Sequence, residues 1–267
     1  MKKISVIILT AVLFSASVFA FGTPEKKKVE KIVVGATPIP HAEMLELVKE
    51  DLAKQGIELE IREFTDYVTP NTALEDGEID ANFFQHIPYM NSFNADHGYH
   101  LVNAGGIHIE PLALYSSKYR SLGELPEGAL IAIPNDPTNE GRALLLLAES
   151  GLISLKDSDN LESGLLDITG NKKKLRFYEL EAATIPRVLR DVDAAVINGN
   201  YAIDAGLKVT DALLVEGSES PYVNIIAVKE GRENERFVEV LVSALKSQRV
   251  KDWIKSHYPN GEVIAVD

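Results

Sequence analysis

Arg142 has the clearest chemical implication of any residue in the chain, because the sequence places it in the first turn of a helix predicted over 140–150. A helix start carries free N–H groups and a positive dipole end, which disfavour a cation unless an anion binds there too. Helix N-termini and guanidinium groups both bind carboxylates. Arg142 is therefore either a carboxylate-binding residue or an ordinary surface arginine paired with Asp136 or Glu140.

A short aromatic segment from Phe83 to Tyr89 is the second candidate. Because side chains alternate along a strand, Phe83 and Phe84 should face opposite ways, and we assign Phe83 to the core. Phe84, His86 and Tyr89 should lie beyond the strand, where they could form a wall around an apolar ligand side chain. A thioether would suit such a wall, since sulfur packs well against aromatic rings.

Three asparagines could supply the polar contacts of such a ligand. Asn198, Asn200 and Asn224 each follow or begin a predicted strand. Their amide oxygens could accept hydrogen bonds from an α-amino group, although turn and cap positions also use asparagine routinely. Both interpretations remain open from the residues alone.

Metal and catalytic chemistry have weak support in the sequence. The chain has six histidines, of which His97 and His100 are close together, with His86 and His108 on either side, but it has no cysteine. No HExxH pattern, phosphate-binding loop, dinucleotide fingerprint or G-x-S-x-G elbow occurs. We therefore predict no metal site, no cofactor and no enzymatic activity.

Two similar series of elements must position these residues. Apolar runs predict strands, and the three- and four-residue periodicity of leucine and valine predicts helices. The first series comprises a strand at 31–36, a helix at 41–55, a strand at 57–61 and a strand at 79–84. The second comprises strands at 129–134, 175–179 and 194–197, with the helix that contains Arg142. This order predicts an α/β fold with mainly parallel sheets.

The chain is expected to form two lobes. The phrases at 77–81 and 190–194 are similar, and two extended segments, 107–116 and 222–228, could cross between the lobes. An amphipathic helix is predicted over 234–247. We expect residues 32–114 and 225–267 in the first lobe and 115–224 in the second. A cleft between hinged lobes is a common small-molecule site, and ligands bind beyond the carboxyl ends of parallel strands.

The N-terminus predicts export. Lys2 and Lys3 precede an apolar run that ends in small residues at Val18 and Ala20, so residues 1–20 should be a signal peptide and 21–31 a flexible leader. An uncleaved anchor is the alternative. The formal net charge is −13, with 27 basic and 40 acidic residues. That balance argues against nucleic acid as a partner.

Several long phrases resemble one known family closely. From about Ile32 to the C-terminus, and in order, they are GATPIPHAEMLE, EFTDYVTPNTAL, ANFFQHIPYM, HIEPLALYS, IPNDPTNEGRALLLL, VINGNYA and YVNIIAV. These phrases are similar to those of the methionine-binding lipoproteins of bacterial ABC importers, the NlpA family. The resemblance implies a two-lobed periplasmic-binding-protein fold with two crossing hinge strands. It also implies that L- or D-methionine is delivered to a membrane permease and its ATPase.

The resemblance also assigns roles to individual residues. It gives Tyr67, Phe84, His86 and Tyr89 as the walls around the thioether. It implies that Asn139 and Arg142 bind the substrate, with Arg142 on the carboxylate. Asn198, Asn200 and Asn224 would complete the contacts to the amino and carboxylate groups of the ligand.

The sequence departs from the family at one point. Family members carry a lipid-modified cysteine after the signal peptide, and this chain has none. We therefore expect a periplasmic monomer, either soluble or tethered by an uncleaved signal, and not anchored through a cysteine. A methionine-containing dipeptide or another apolar amino acid remains an alternative ligand. A surface adhesin or metal-binding protein on the same fold remains an alternative function.

Overall fold

The computed structural model describes residues 29–217 and 220–266. The predicted signal peptide at 1–20 and residues 21–28 of the predicted leader lie outside this part of the chain. The first strand begins at Glu30, so the prediction that the leader extends to Lys31 is wrong: Glu30 and Lys31 pair with the second strand. Within the described residues, no helix combines the length and apolar character needed to cross a membrane.

Helices and strands alternate through most of the chain. The first elements are β1 (Glu30–Ala36), α1 (Glu43–Lys54), β2 (Ile57–Glu63), α2 (Thr69–Glu75), β3 (Ala81–His86), α3 (Ile87–His97) and β4 (Leu101–Ile109). The middle elements are β5 (Ala113–Tyr115), β6 (Leu130–Pro134), α4 (Pro137–Glu149), β7 (Ser154–Leu155), β8 (Ile168–Gly170), β9 (Arg176–Leu180), α5 (Ile185–Val188), β10 (Ala194–Ile197), α6 (Gly199–Asp204) and β11 (Leu214–Val215). The last are β12 (Val223–Lys229), α7 (Arg236–Leu245), α8 (Gln248–His257) and β13 (Ile264–Ala265).

The first sheet has six strands in the order β13-β4-β12-β3-β1-β2. Its β1 runs parallel to β2 and β3, as a β-α-β order requires. The apolar face of α1, with Leu45, Val48 and Leu52, is buried in the core beside this sheet. Phe83 is fully buried in the same core, as the alternation along β3 predicts.

The second sheet has five strands in the order β11-β5-β10-β6-β9. Here β6 runs parallel to β9 and β10, whereas β5 is antiparallel to β10 and β11. Ala143, Leu144 and Leu147 of α4 are fully buried beside this sheet. The two sheets, each with its own core, confirm the predicted α/β fold.

Both sheets are mixed, so the prediction of mainly parallel sheets needs correction. In the first sheet, β12 is antiparallel to both β3 and β4. The cause is the chain path: β12 enters from the second sheet, at the edge where β3 and β4 end, and so runs in the opposite direction.

The chain passes between the sheets twice, at Glu110–Leu112 and between the end of β11 and the start of β12. The Glu216 N–H donates to the Leu112 carbonyl over 2.9 Å, which joins the two crossings. The strand pairing puts Ala113 and Leu114 in the second sheet, although the sequence predicts them in the first lobe. It puts Val223 and Asn224 in the first sheet, although the sequence predicts them in the second lobe.

Candidate functional site

One cavity lies where β3, β10 and β12 meet α4 and α6. The residues that the sequence proposed as binding residues all line it: Tyr67, Phe84, His86, Tyr89, Asn139, Arg142, Asn198, Asn200 and Asn224. The cavity is at the carboxyl ends of β3 and β10, where ligands bind in open α/β sheets. Residues from distant parts of the chain thus converge on one site.

Three aromatic rings form one wall of the cavity. The ring centroids of Tyr67, Phe84 and Tyr89 are 5.8 Å (Tyr67–Phe84), 5.9 Å (Tyr67–Tyr89) and 6.1 Å (Phe84–Tyr89) apart. The Tyr89 hydroxyl donates to the Tyr67 carbonyl over 2.9 Å, which fixes two of the rings relative to each other. Phe84 is the third residue from the end of β3, and Tyr89 lies in the first turn of α3. This triangle of rings is suited to an apolar, polarisable side chain.

Hydrogen bonds connect the two lobes across the cavity. The Tyr67 hydroxyl donates to Asn200 Oδ1 over 2.5 Å, and Tyr201 donates to the Thr65 carbonyl over 3.2 Å. His86 and Asn139 form a third link at 3.3 Å. In each link, one partner follows β2 or ends β3 (Tyr67, Thr65 or His86), and the other belongs to α4 or α6 (Asn200, Tyr201 or Asn139). The structure therefore describes the lobes closed over the cavity.

The amide of Asn139 is fully engaged. The backbone N–H of Tyr89 donates to His86 Nδ1, which leaves His86 Nε2 to donate to Asn139 Oδ1. Asn198 Nδ2 donates to the same oxygen over 2.8 Å, and Asn139 Nδ2 donates to Asp136. Burial and the neighbouring Arg142 lower the pKa of His86 to about 3, so its imidazole is neutral.

This network leaves one acceptor free. Asn198 is 5% exposed, and its Oδ1 has no hydrogen-bond partner among the described residues. Its Nδ2 is already used by Asn139, so the amide cannot turn over without losing that bond. An unpaired buried acceptor is unfavourable. A ligand N–H group in the cavity would satisfy it.

Arg142 reaches the cavity, but not from a helix start. Asp136 caps α4 and Pro137 begins it, so Arg142 lies in the second turn and the argument from the helix dipole is wrong. The prediction placed 135–139 in a loop, although an aspartate before a proline is a typical helix start. Glu140 accepts a hydrogen bond from the Leu165 N–H, so it is not the partner of Arg142.

The actual partner of Arg142 is Glu216. Nε donates to Glu216 Oε1 over 3.0 Å and Nη2 to Oε2 over 2.5 Å. Nη2 also donates to the Glu110 carbonyl, and the Tyr222 ring centroid lies 4.3 Å from the guanidinium carbon. Among the described residues, Nη1 has no hydrogen-bond partner. Of the guanidinium nitrogens of Arg142, Nη1 is therefore the one left for an anion.

The sequence reasoning missed three lining residues: Gln85, Glu110 and Gly199. Glu110 ends the segment that leaves β4, and its position after His108 at a crossing was the available signal. Gly199 packs so closely that an added Cβ would lie 2.7 Å from Glu110 Cβ. Gln85 donates to the buried Asn71 and Asn82, which gives it a structural role as well.

Glu110 is held by two histidines. His108 Nε2 lies 2.7 Å and His41 Nε2 3.3 Å from Glu110 Oε1. Burial lowers the pKa of His41 to about 4 and that of His108 to about 3, while it raises the pKa of Glu110. These three residues are the group in the described part of the chain with metal-ligand spacing. His108 Nδ1 has no partner there, whereas a metal-binding histidine normally uses its second nitrogen in a hydrogen bond.

The other histidines do not form a metal site with this group. His97 stacks on Phe93, with ring centroids 4.0 Å apart, and His86 lies in the cavity wall. Closeness of histidines in the sequence therefore does not translate into a shared site among the residues described.

Comparisons with known proteins agree with this geometry. The profile of the NlpA lipoprotein family matches residues 32–266. The D-methionine-binding lipoprotein MetQ of Escherichia coli (strain K12) is 44% identical over 235 residues, which are 87% of this chain and 86% of that protein.

Two solved structures are also similar. A nutrient-binding protein of Burkholderia cenocepacia bound to methionine has 46% identity and a TM-score of 0.85, covering 88% of this chain and 100% of that one. A periplasmic substrate-binding protein of an ABC transporter from Coxiella burnetii has 44% identity and a TM-score of 0.84, with the same coverage. Both the family profile and the identities span the whole two-lobed fold, and the chain belongs to the NlpA lipoprotein family.

Proposed function

We propose that this chain is an extracytoplasmic substrate-binding protein that captures methionine in the cavity and delivers it to an ABC importer. One observation carries the proposal: a guanidinium nitrogen, an unpaired amide oxygen and three aromatic rings line the same closed cavity. These groups complement the carboxylate, the ammonium and the thioether side chain of methionine. The names of the similar proteins support the same ligand and the same transporter class.

The proposed orientation follows from the unused hydrogen-bonding groups. The ligand carboxylate binds Nη1 of Arg142, since the other guanidinium nitrogens are occupied. The ammonium donates to Asn198 Oδ1, with the Glu110 carboxyl nearby in the lining. The thioether enters the triangle of Tyr67, Phe84 and Tyr89. Asn200 and Asn224 complete the polar side, where Asn224 Oδ1 lies 3.2 Å from His41 Nε2.

Approximate energies are compatible with useful affinity. Burial of the methionine side chain stabilises the complex by about 1.5–3 kcal/mol. A charge-assisted bond to Arg142 adds about 1.5–3 kcal/mol. A micromolar dissociation constant needs about 8 kcal/mol. The difference must come from the asparagine contacts and the links between the lobes.

We infer that the protein acts by binding and not by catalysis, because His86 and Glu110 are both engaged within the fold and the relatives are named as binding proteins. Its partners would be a permease and an ATPase, with the chain itself a monomer. The similar MetQ protein is a lipoprotein, but this chain has no cysteine for a thioether-linked lipid. An exported protein held by its signal, or released from it, is the arrangement we propose.

Titration calorimetry with the purified protein tests the function directly. L- and D-methionine should each be tried, with leucine as a ligand of similar size that lacks sulfur. Native mass spectrometry of protein that has never been denatured should show a retained mass equal to methionine. Absence of binding to either enantiomer would refute the proposal. Tighter binding of leucine or of glycylmethionine would favour the alternative ligands.

A further inference from the structure

We propose that Glu216 determines the ligand charge that the cavity accepts, by cancelling the positive charge of Arg142. This inference rests on the proposed function and extends it. It predicts that the site selects a ligand with no net charge, a zwitterion, over an anion of the same shape. Glu216 acts through Arg142 and lies behind it, since it is not among the residues that line the cavity.

The pair is largely buried and has two parallel hydrogen bonds. The side chains of Arg142 and Glu216 are 4% and 13% exposed. Their contacts, Nε to Oε1 and Nη2 to Oε2, are 3.0 Å and 2.5 Å long. At this depth, water screens the two charges less than it does at an exposed surface pair. The positive charge of the guanidinium is therefore already balanced by Glu216 before a ligand binds.

Glu216 is held in place independently of Arg142. Its Oε2 accepts a hydrogen bond from the Leu112 N–H over 3.2 Å, and its own N–H donates to the Leu112 carbonyl over 2.9 Å. Leu112 belongs to the other crossing between the sheets. Because both crossings fix this carboxylate, we expect it to stay on Arg142 when a ligand binds.

Arg142 is likewise held by more than Glu216. The Glu110 carbonyl accepts from Nη2 over 2.8 Å, and the guanidinium lies over the Tyr222 ring. Loss of the Glu216 charge would therefore leave the guanidinium in place but without its counter-ion. A ligand anion would then take the place of Glu216 as the carboxylate that balances its charge. The role of Glu216 is thus electrostatic more than positional.

Three ligands with the same thioether side chain separate charge from shape. They are 4-(methylthio)butanoate, an anion, methionine, a zwitterion, and methioninamide, a cation. The variant Glu216→Gln should raise the affinity for the anion by about tenfold relative to methionine, and lower that for the cation by a similar factor. Glu216→Asp retains the charge, so the order of the three affinities should match that of the wild type.

A matched control is available outside the site. Arg232 forms a similar two-bond pair with Glu235 and lies over the Phe237 ring. Neither Arg232 nor Glu235 lines the cavity. Glu235→Gln should therefore change the three affinities equally or leave them unchanged. Calorimetry measures the affinities, and thermal unfolding checks that each variant is folded.

The outcomes are distinct. Equal changes for all three ligands in Glu216→Gln would mean a merely structural role and would overturn the inference. If that variant does not fold, the wild type still decides: the anion must bind at least about tenfold more weakly than methionine, and equal or tighter binding overturns the inference. Failure of the wild type to bind methionine refutes the proposed function itself, which is a different result.

Discussion

The contribution of Arg142 can be tested by replacing it with methionine, which retains an unbranched side chain over the Tyr222 ring. The single variant removes the proposed bond to the ligand carboxylate, about 1.5–3 kcal/mol, which corresponds to a tenfold to 150-fold weaker affinity for methionine. It also leaves Glu216 without its partner. Removal of one member of a buried pair destabilises a protein by about 3–5 kcal/mol.

The double variant Arg142→Met/Glu216→Gln separates these two effects. It has no unpaired charge, so its unfolding free energy should recover towards that of the wild type, because a buried pair can often be replaced at little net loss. Its affinity for methionine should stay low, since Nη1 is absent. The control is Arg232→Met, which removes a comparable arginine over an aromatic ring and away from the cavity.

Calorimetry and urea unfolding measure the two quantities on the same protein. The expected pattern is low affinity in both Arg142 variants, low stability in the single variant alone, and unchanged affinity in the control. Wild-type affinity in the double variant would remove Arg142 from the binding site. Recovery of affinity together with stability would show that the single variant lost binding only because it was damaged.

Three further predictions concern the aromatic wall of the cavity, the packing of Gly199 against Glu110, and pH. Phe84→Leu should weaken methionine binding, measured by calorimetry, while leucine binding changes less, because the variant lacks the ring proposed to contact the sulfur. An equal change for both ligands would argue against a thioether site. Gly199→Ala should destabilise the protein by about 1–3 kcal/mol, since its Cβ would lie 2.7 Å from Glu110 Cβ, whereas Gly123→Ala, with its nearest atom 3.9 Å away, should have little effect on urea unfolding. The unfolding free energy should fall as the pH decreases from 6.5 to about 4. The pKa values of His41, His86 and His108 are lowered to about 4, 3 and 3, so the unfolded state takes up protons first, while the raised pKa values of Glu110 and Asp136 oppose this effect in part. An unfolding free energy that is constant over this range would contradict the burial of these imidazoles.

Local patterns in the sequence predicted the elements more reliably than the pairing between them. The apolar period of α1 and the alternation at Phe83 and Phe84 depend on neighbouring residues, and the structure agrees with both. The antiparallel course of β12 depends on the chain returning from the other lobe, which no local pattern encodes. The start of α4 was misplaced because Asn135 and Pro137 were interpreted as a loop.

The polar side of the cavity shows the same limit. Its asparagines were candidates because of residue type and position, but the free acceptor on Asn198 results from a chain of bonds through Asn139, His86 and Asp136. Such a chain needs side chains from β3, α4 and α6 in contact. Sequence spacing alone could not distinguish a binding amide from a structural one.

Arg142 does not lie at the helix start that the sequence predicts, and the difference has a functional consequence. A cation at a helix start would need an anion, so the ligand itself would have to supply the missing charge. In the structure, Glu216 supplies it from 74 residues further along the chain. The closed cavity can therefore exist without a ligand, because Arg142 remains paired with Glu216. In the proposed function, the ligand is then recognised by Nη1 and the Asn198 oxygen together, which favours an amino acid over a simple carboxylate.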